Sequence, residues 1–279
     1  MKQILVASDF SQSALDALAY ALPLAKALKM EIAVIHAIHP TEGIQNSTYN
    51  AIFIEDYYAR KRAALREWVA PLLQDERYKD IPISTVCVVG TLRAVINRYI
   101  EYNNVSFLVM GITGATGISG IVGSNASMAV SKLRIPTLIV PQGGALSAEP
   151  VISLATDYKT TKFSVRDKKA LTQLVKISPE RRLEVVHVWE TDNTDPEELK
   201  ADEQKLAAMI PAAKMHFNYI EEDVKTVRGI IDFVEKNNTD ILCLVKRDHN
   251  VIYRLFGSGT TVNEVISHKS VKAVLVLHE

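Results

Sequence analysis

The chain has 279 residues, with 32 Lys plus Arg against 32 Asp plus Glu, 48% hydrophobic residues and 23% charged ones. That apolar share builds a packed core, which excludes a disordered chain, and the length suits one large domain or two smaller ones. The charge balance argues against a nucleic-acid or anionic-membrane binder, which carries a basic excess, and no apolar run is long enough to span a bilayer.

The first apolar run, residues 3–8, reads as a strand. It meets Asp9 too early for a signal-peptide core, so a cytoplasmic chain is expected. Cys87 and Cys243 both lie in apolar runs and read as buried, reduced thiols. Leu15, Leu18, Leu22 and Ala25 then recur at helical spacing, with Ser11 or Ser13 as cap and a kink expected at Pro23. A second strand over 31–38 leads to a long amphipathic helix over roughly 50–75, then a strand over 83–89 and a helix over 91–103. A fourth strand is predicted at 106–110, a helix at about 123–133 and a fifth strand at 136–141. Short apolar strands between helices call for a parallel sheet covered on both faces, wound by right-handed crossovers.

The chain then repeats itself. Ile4-Leu5-Val6-Ala7-Ser8-Asp9-Phe10 returns as Ile152-Ser153-Leu154-Ala155-Thr156-Asp157-Tyr158, each ending in a hydroxyl residue, an acid and an aromatic. His36 returns as His187, Asn103-Asn104 as Asn237-Asn238, Gly123-Ser124 as Gly257-Ser258, and the 137–140 strand as 273–276. Two α/β domains are read, 1–142 and 149–279, joined by a small-residue linker around Gly143-Gly144. The second copy is less regular, with a shorter first helix and an acidic second helix, about 195–210, stopping near Pro211.

Five of the twelve glycines fall at 111, 114, 117, 120 and 123, after strand four and before helix four. Glycine admits close backbone approach, and a helix N-terminus offers free amides, so this segment reads as a phosphate cradle at the strand carboxyl ends. A plain surface loop is the competing reading. Neither a Gly-x-Gly-x-x-Gly after strand one nor a Walker-type phosphate loop is present. His36 and His187 read first as hydrogen-bonded structural histidines. The other histidines have no Cys or carboxylate at metal-ligand spacing, so no metal site and no catalytic residue is proposed.

On these residues the chain resembles the universal stress proteins over both halves, as a tandem two-domain member. ATP-binding members carry an Asp after strand one and Gly-x2-Gly-x9-Gly-Ser/Thr after strand four. Here the acid is Asp9, and the loop runs Gly111-Ile112-Thr113-Gly114, eight residues, then Gly123-Ser124-Asn125, a spacer one residue short. The resemblance implies two doubly wound parallel-sheet domains packed as a pseudo-dimer within one chain, their fifth strands, 136–141 and 272–277, paired. It places adenine near Ala7, Ser8, Asp9, His36 and Ala37. It places ribose and phosphates near Met110, Gly111, Thr113 and Gly114, and near Gly123, Ser124 and Asn125. ATP or another adenine nucleotide, with or without Mg, is the implied ligand, and at most slow hydrolysis is expected. In the second half Val245 and Asp248 replace the first two loop glycines, leaving Asp157, Gly257 and Ser258 as weak candidates. A nucleotide-free interaction scaffold of the same fold is the alternative, and a further homodimer is left open.

Overall fold

The computed structural model describes residues 2–39, 51–112, 124–158, 163–189, 196–221, 226–246 and 272–278. In the first half, β1 (Gln3–Ala7), α1 (Gln12–Leu28), β2 (Glu31–Ile38), α2 (Ala51–Leu73), β3 (Ile83–Val89), α3 (Leu92–Tyr102), β4 (Val105–Ile112), α4 (Ser124–Lys132) and β5 (Thr137–Pro141) alternate. Among the described residues the second half follows the same order with β6 (Ile152–Ala155), α5 (Val165–Val175), β7 (Arg182–Trp189), α6 (Pro196–Met209), β8 (Lys214–Glu221), α7 (Thr226–Lys236), β9 (Ile241–Lys246) and β10 (Val274–His278), the segment matching α4 lying outside them.

The strands form one ten-stranded sheet in the order β3-β2-β1-β4-β5-β10-β9-β6-β7-β8. Among the described residues every pairing is parallel except β5 with β10, which is antiparallel. The order reads the same from either end once the halves are matched strand for strand. At the seam Leu138 pairs with Leu275 and Ile139 with Val274. The repeat makes 138 equivalent to 274 and 139 to 275, so each pair is the other's mate under a two-fold axis. The pseudo-dimer and its paired fifth strands are therefore present, and two apolar edges that would otherwise be exposed protect each other.

Parallel strands must be covered on both faces, and the burial follows that demand. Ile4, Val6, Ile32 and Val34 turn to one face with Leu18 and Leu22 of α1 and Leu65 of α2, and this layer continues through Leu171 and Leu174 of α5. Leu5, Ala33 and Ile35 turn to the other with Val95 and Ile96 of α3 and Ala129 of α4, continuing through Ile231 and Val234 of α7.

Pro23, where a kink is expected, lies inside α1, which is continuous from Gln12 to Leu28 with buried side chains on both sides of the proline. One expectation needs correction. The fourth strand is longer than predicted and includes Gly111, which pairs with Val140.

Candidate functional site

The turn after β1 is built from its own side chains. The Ser8 amide donates to the Ile35 carbonyl at 2.9 Å, and the Phe10 amide donates to Ser8 Oγ at 3.2 Å. Phe10 sits at a φ of 66°. The Ser11 amide donates to Asp9 Oδ1 at 3.0 Å, and Ser11 Oγ caps α1 by accepting from the Ala14 amide at 3.2 Å. Asp9 is thereby held exposed at the lip of the turn. His36 is 7% exposed, with Nδ1 2.8 Å from the Ser8 carbonyl oxygen. A carbonyl only accepts, so Nδ1 carries the proton in this contact. The Phe10 ring covers the imidazole at 4.5 Å, with Trp68 of α2 edge-on to Phe10 at 6.2 Å. His36 is thus hydrogen-bonded through Nδ1, and it also lines a cleft.

A cleft of about 220 Å³ opens above the carboxyl ends of these strands. Its floor is Ala7, Ser8 and Asp9 after β1, and Ala37 with His36 at the end of β2. Met110 and Gly111 of β4 and Asn125 in the first turn of α4 form the opposite wall. β1 and β4 are neighbours, with β2 on the far side of β1 and β5 on the far side of β4, so the cleft sits where the strand order reverses. Ligands of open α/β sheets bind at that place. Ser124 opens α4, while Thr113, Gly114 and Gly123 lie outside the described residues. Gly111, expected as the first residue of the loop, is a strand residue: a Cβ there would lie 1.8 Å from the Ser13 carbonyl oxygen. Its missing side chain lets the start of α1 press onto β4.

Ala14, His39, Gly90 and Leu92 also line the cleft and were not singled out from the sequence. Gly90 and Leu92 flank Thr91, which caps α3 directly after β3. A capped turn at a strand's carboxyl end was the available signal, and it was not applied to the third strand.

The second half repeats the turn with different side chains beside it. The Thr156 amide donates to the Val186 carbonyl, the Tyr158 amide to Thr156 Oγ1 at 2.9 Å, and His187 Nδ1 lies 2.8 Å from the Thr156 carbonyl oxygen. Tyr158 has a φ of 57° and packs on His187 at 4.9 Å. Asp157 occupies the place of Asp9, while Gly257 and Ser258 lie outside the described residues. β8 brings Tyr219 opposite His187, where β3 brings Cys87 opposite His36. The Tyr219 and Tyr158 hydroxyls are 3.4 Å apart, and Tyr219 also donates to the Glu203 carboxylate. Burial pushes Tyr158 up to about 12, and burial followed by the Glu203 hydrogen bond raises Tyr219 further, so both phenols stay protonated at neutral pH.

Among the described residues, no group of three His, Cys, Asp or Glu side chains could hold a metal ion. None of the described helices is long and apolar enough to cross a membrane.

The model of the universal stress protein family matches residues 1–141. The chain belongs to that family. A universal stress protein from Archaeoglobus fulgidus matches 98% of this chain over 97% of its own, with a TM-score of 0.71 and 20% identity. A functionally unknown protein from Pseudomonas aeruginosa matches 99% of this chain over 92% of its own, with a TM-score of 0.55 and 13% identity. At these identities the likeness is one of fold. No curated protein matches the chain.

Proposed function

We propose that the N-terminal domain, residues 1–142, binds ATP or a related adenine nucleotide in its cleft, and that the chain acts in a stress response through that ligand. The observation that carries this reading is the cleft at the strand-order reversal, where the Asp9 carboxylate, the Ala37 backbone and the start of α4 converge. Asp9 suits hydroxyl or amino donors of a nucleoside, and the amides opening α4 suit phosphate oxygens. The C-terminal domain, residues 149–279, takes no nucleotide in the same manner, because Tyr219, hydrogen-bonded to the Glu203 carboxylate, stands beside His187 where the first half has Cys87 beside His36.

Thermal unfolding of the full chain with ATP is the test. A ligand at a hundredfold excess over its Kd stabilises by about 2.7 kcal/mol. For a domain of this size that raises the midpoint by several degrees, since each kcal/mol gives roughly 2–4 °C. Asp9→Ala removes a carboxylate that is exposed and, among the described residues, accepts from the Ser11 turn amide, so it should weaken ATP about tenfold with little change in the unliganded midpoint. An ATP shift untouched by Asp9→Ala puts the nucleotide elsewhere.

One observation favours the nucleotide-free scaffold: the cleft, at about 220 Å³, is smaller than the roughly 300–1,000 Å³ usual for ligand sites. That reading predicts no shift with millimolar ATP.

A further inference from the structure

The two halves run antiparallel across the seam, so the carboxyl ends of their strands lie at opposite edges of the sheet. At the edge belonging to the second half, a separate cavity of about 240 Å³ lies beside the first turn of α5 and the end of β10. Arg134, Ser164, Val165, Arg166, Asp167 and His278 line it. The repeat explains why it exists. Ser11 and Ser164 cap α1 and α5 in the same way, which makes Asp167 the counterpart of Ala14. In the first half Gly111 admits the Ser13 backbone; in the second, Val245 stands at that strand position and packs against the same core layer.

Asp167 and His278 are each 2% exposed. Asp167 Oδ2 accepts from Ser164 Oγ, but Oδ1 lies 3.7 Å from His278 Nδ1, beyond hydrogen-bond reach. Asp167 Oδ1 and both ring nitrogens of His278 have no hydrogen-bond partner among the described residues. Buried polar atoms are almost always paired, so three orphans on two residues that line one cavity point to a ligand that completes them. The rest of the wall is rich in donors. The Val165 and Arg166 amides belong to the first turn of an eleven-residue helix and lack intrahelical acceptors. Arg134 and Arg166 add two exposed guanidinium groups. A complementary ligand accepts on most sides and donates to one carboxylate oxygen. We infer that this cavity binds a singly protonated phosphate, its oxyanions facing the arginines and the helix amides and its P–OH donating to Asp167 Oδ1. Sulfate has the same shape but no proton at neutral pH, and would bring a lone pair against that carboxylate.

The test is a titration of the full chain with inorganic phosphate, followed by thermal unfolding and by the ring ¹⁵N signals of His278. Sulfate and chloride at equal ionic strength are the comparators. Phosphate should give a saturable rise in midpoint and a shift of the His278 signals, with sulfate at least about tenfold weaker. Arg134→Glu and Arg166→Glu alter exposed side chains and should each lose at least about tenfold in affinity, whereas Lys79→Glu, on the far surface, should lose little. Circular dichroism confirms that each variant is folded. A phosphate response no larger than that of chloride overturns the site. So does an affinity that falls no further in the arginine variants than in Lys79→Glu, and sulfate binding as well as phosphate overturns the role of Asp167. None of these outcomes depends on the nucleotide cleft, which ATP and Asp9→Ala test separately.

Discussion

A methyl group at position 111 would lie 1.8 Å from the Ser13 carbonyl oxygen and 2.3 Å from its carbon. Both are backbone atoms, so nothing flexible can give way. Overpacking a core usually costs about 1–3 kcal/mol, and Gly111→Val should exceed that, at about 3 kcal/mol or more, because α1 itself must move. Urea unfolding should show a lower midpoint, and ATP affinity should fall with it, since the same displacement carries Ala14 and the cleft floor. An unchanged midpoint would mean that α1 does not lean on β4. The sequence displays this glycine but not what its absent side chain makes room for. A ligand and a neighbouring helix are alike to a residue without a Cβ, and only the placement of Ser13 decides between them. Asp9 and the two histidines were readable for the opposite reason: the hydroxyl-acid-aromatic turn appears twice with the same local spacing, and each copy makes the same hydrogen bonds.

At the scale of elements, β2 and β3 fall where their β-branched runs end, at 31–38 and 83–89. At Pro23 tertiary packing offsets a local signal: proline is a helix breaker by propensity, yet Leu18, Tyr20, Leu22 and Leu24 are buried around it along a continuous α1. The two cap serines offer a matched comparison. Ser11 Oγ satisfies the Ala14 amide and meets Ser13 Oγ at 2.9 Å near the surface, so Ser11→Ala should cost about 1 kcal/mol. Ser164 Oγ both caps the Asp167 amide and donates to its buried carboxylate. Ser164→Ala strands a second oxygen of a side chain that is 2% exposed, and should cost about 2 kcal/mol. Equal losses in urea unfolding of the two variants would show that Asp167 gains nothing from Ser164. His278 has no carboxylate at metal-ligand spacing in the sequence, because the one that faces it arrives only when β10 and α5 meet.

The halves are also joined off the seam, through Asp240. This residue is 2% exposed and accepts from the Val151 amide at 2.8 Å, from Ser147 Oγ and from Lys272 Nζ at 2.7 Å. The linker between the halves is drawn in around it. Gly144 passes so close to Lys272 that a Cβ would lie 2.6 Å from its carbonyl oxygen. On the other side, Tyr20 of the first half, 1% exposed, reaches the Asp240 carbonyl at 3.5 Å. Burial, followed by the nearby Asp240 charge, raises the Tyr20 hydroxyl well above its ordinary value of 10.0, and burial likewise raises Cys243 above 9.0. Both groups are neutral when protonated and both ionise more readily in the unfolded chain. Stability is therefore intact below pH 9 and falls as the pH rises past the unfolded values, first through Cys243 and then through Tyr20. Each group that ionises only on unfolding takes about 1.4 kcal/mol per pH unit. Tyr20→Phe removes one of them. The variant should lose less than about 1 kcal/mol at pH 8, where a 3.5 Å contact contributes little. Above pH 10 its unfolding free energy should fall less steeply than that of the native chain, by about 1.4 kcal/mol per pH unit. Urea unfolding from pH 8 to pH 11 measures both quantities. Parallel curves for the two proteins would show that Tyr20 reaches solvent and ionises without parting the halves.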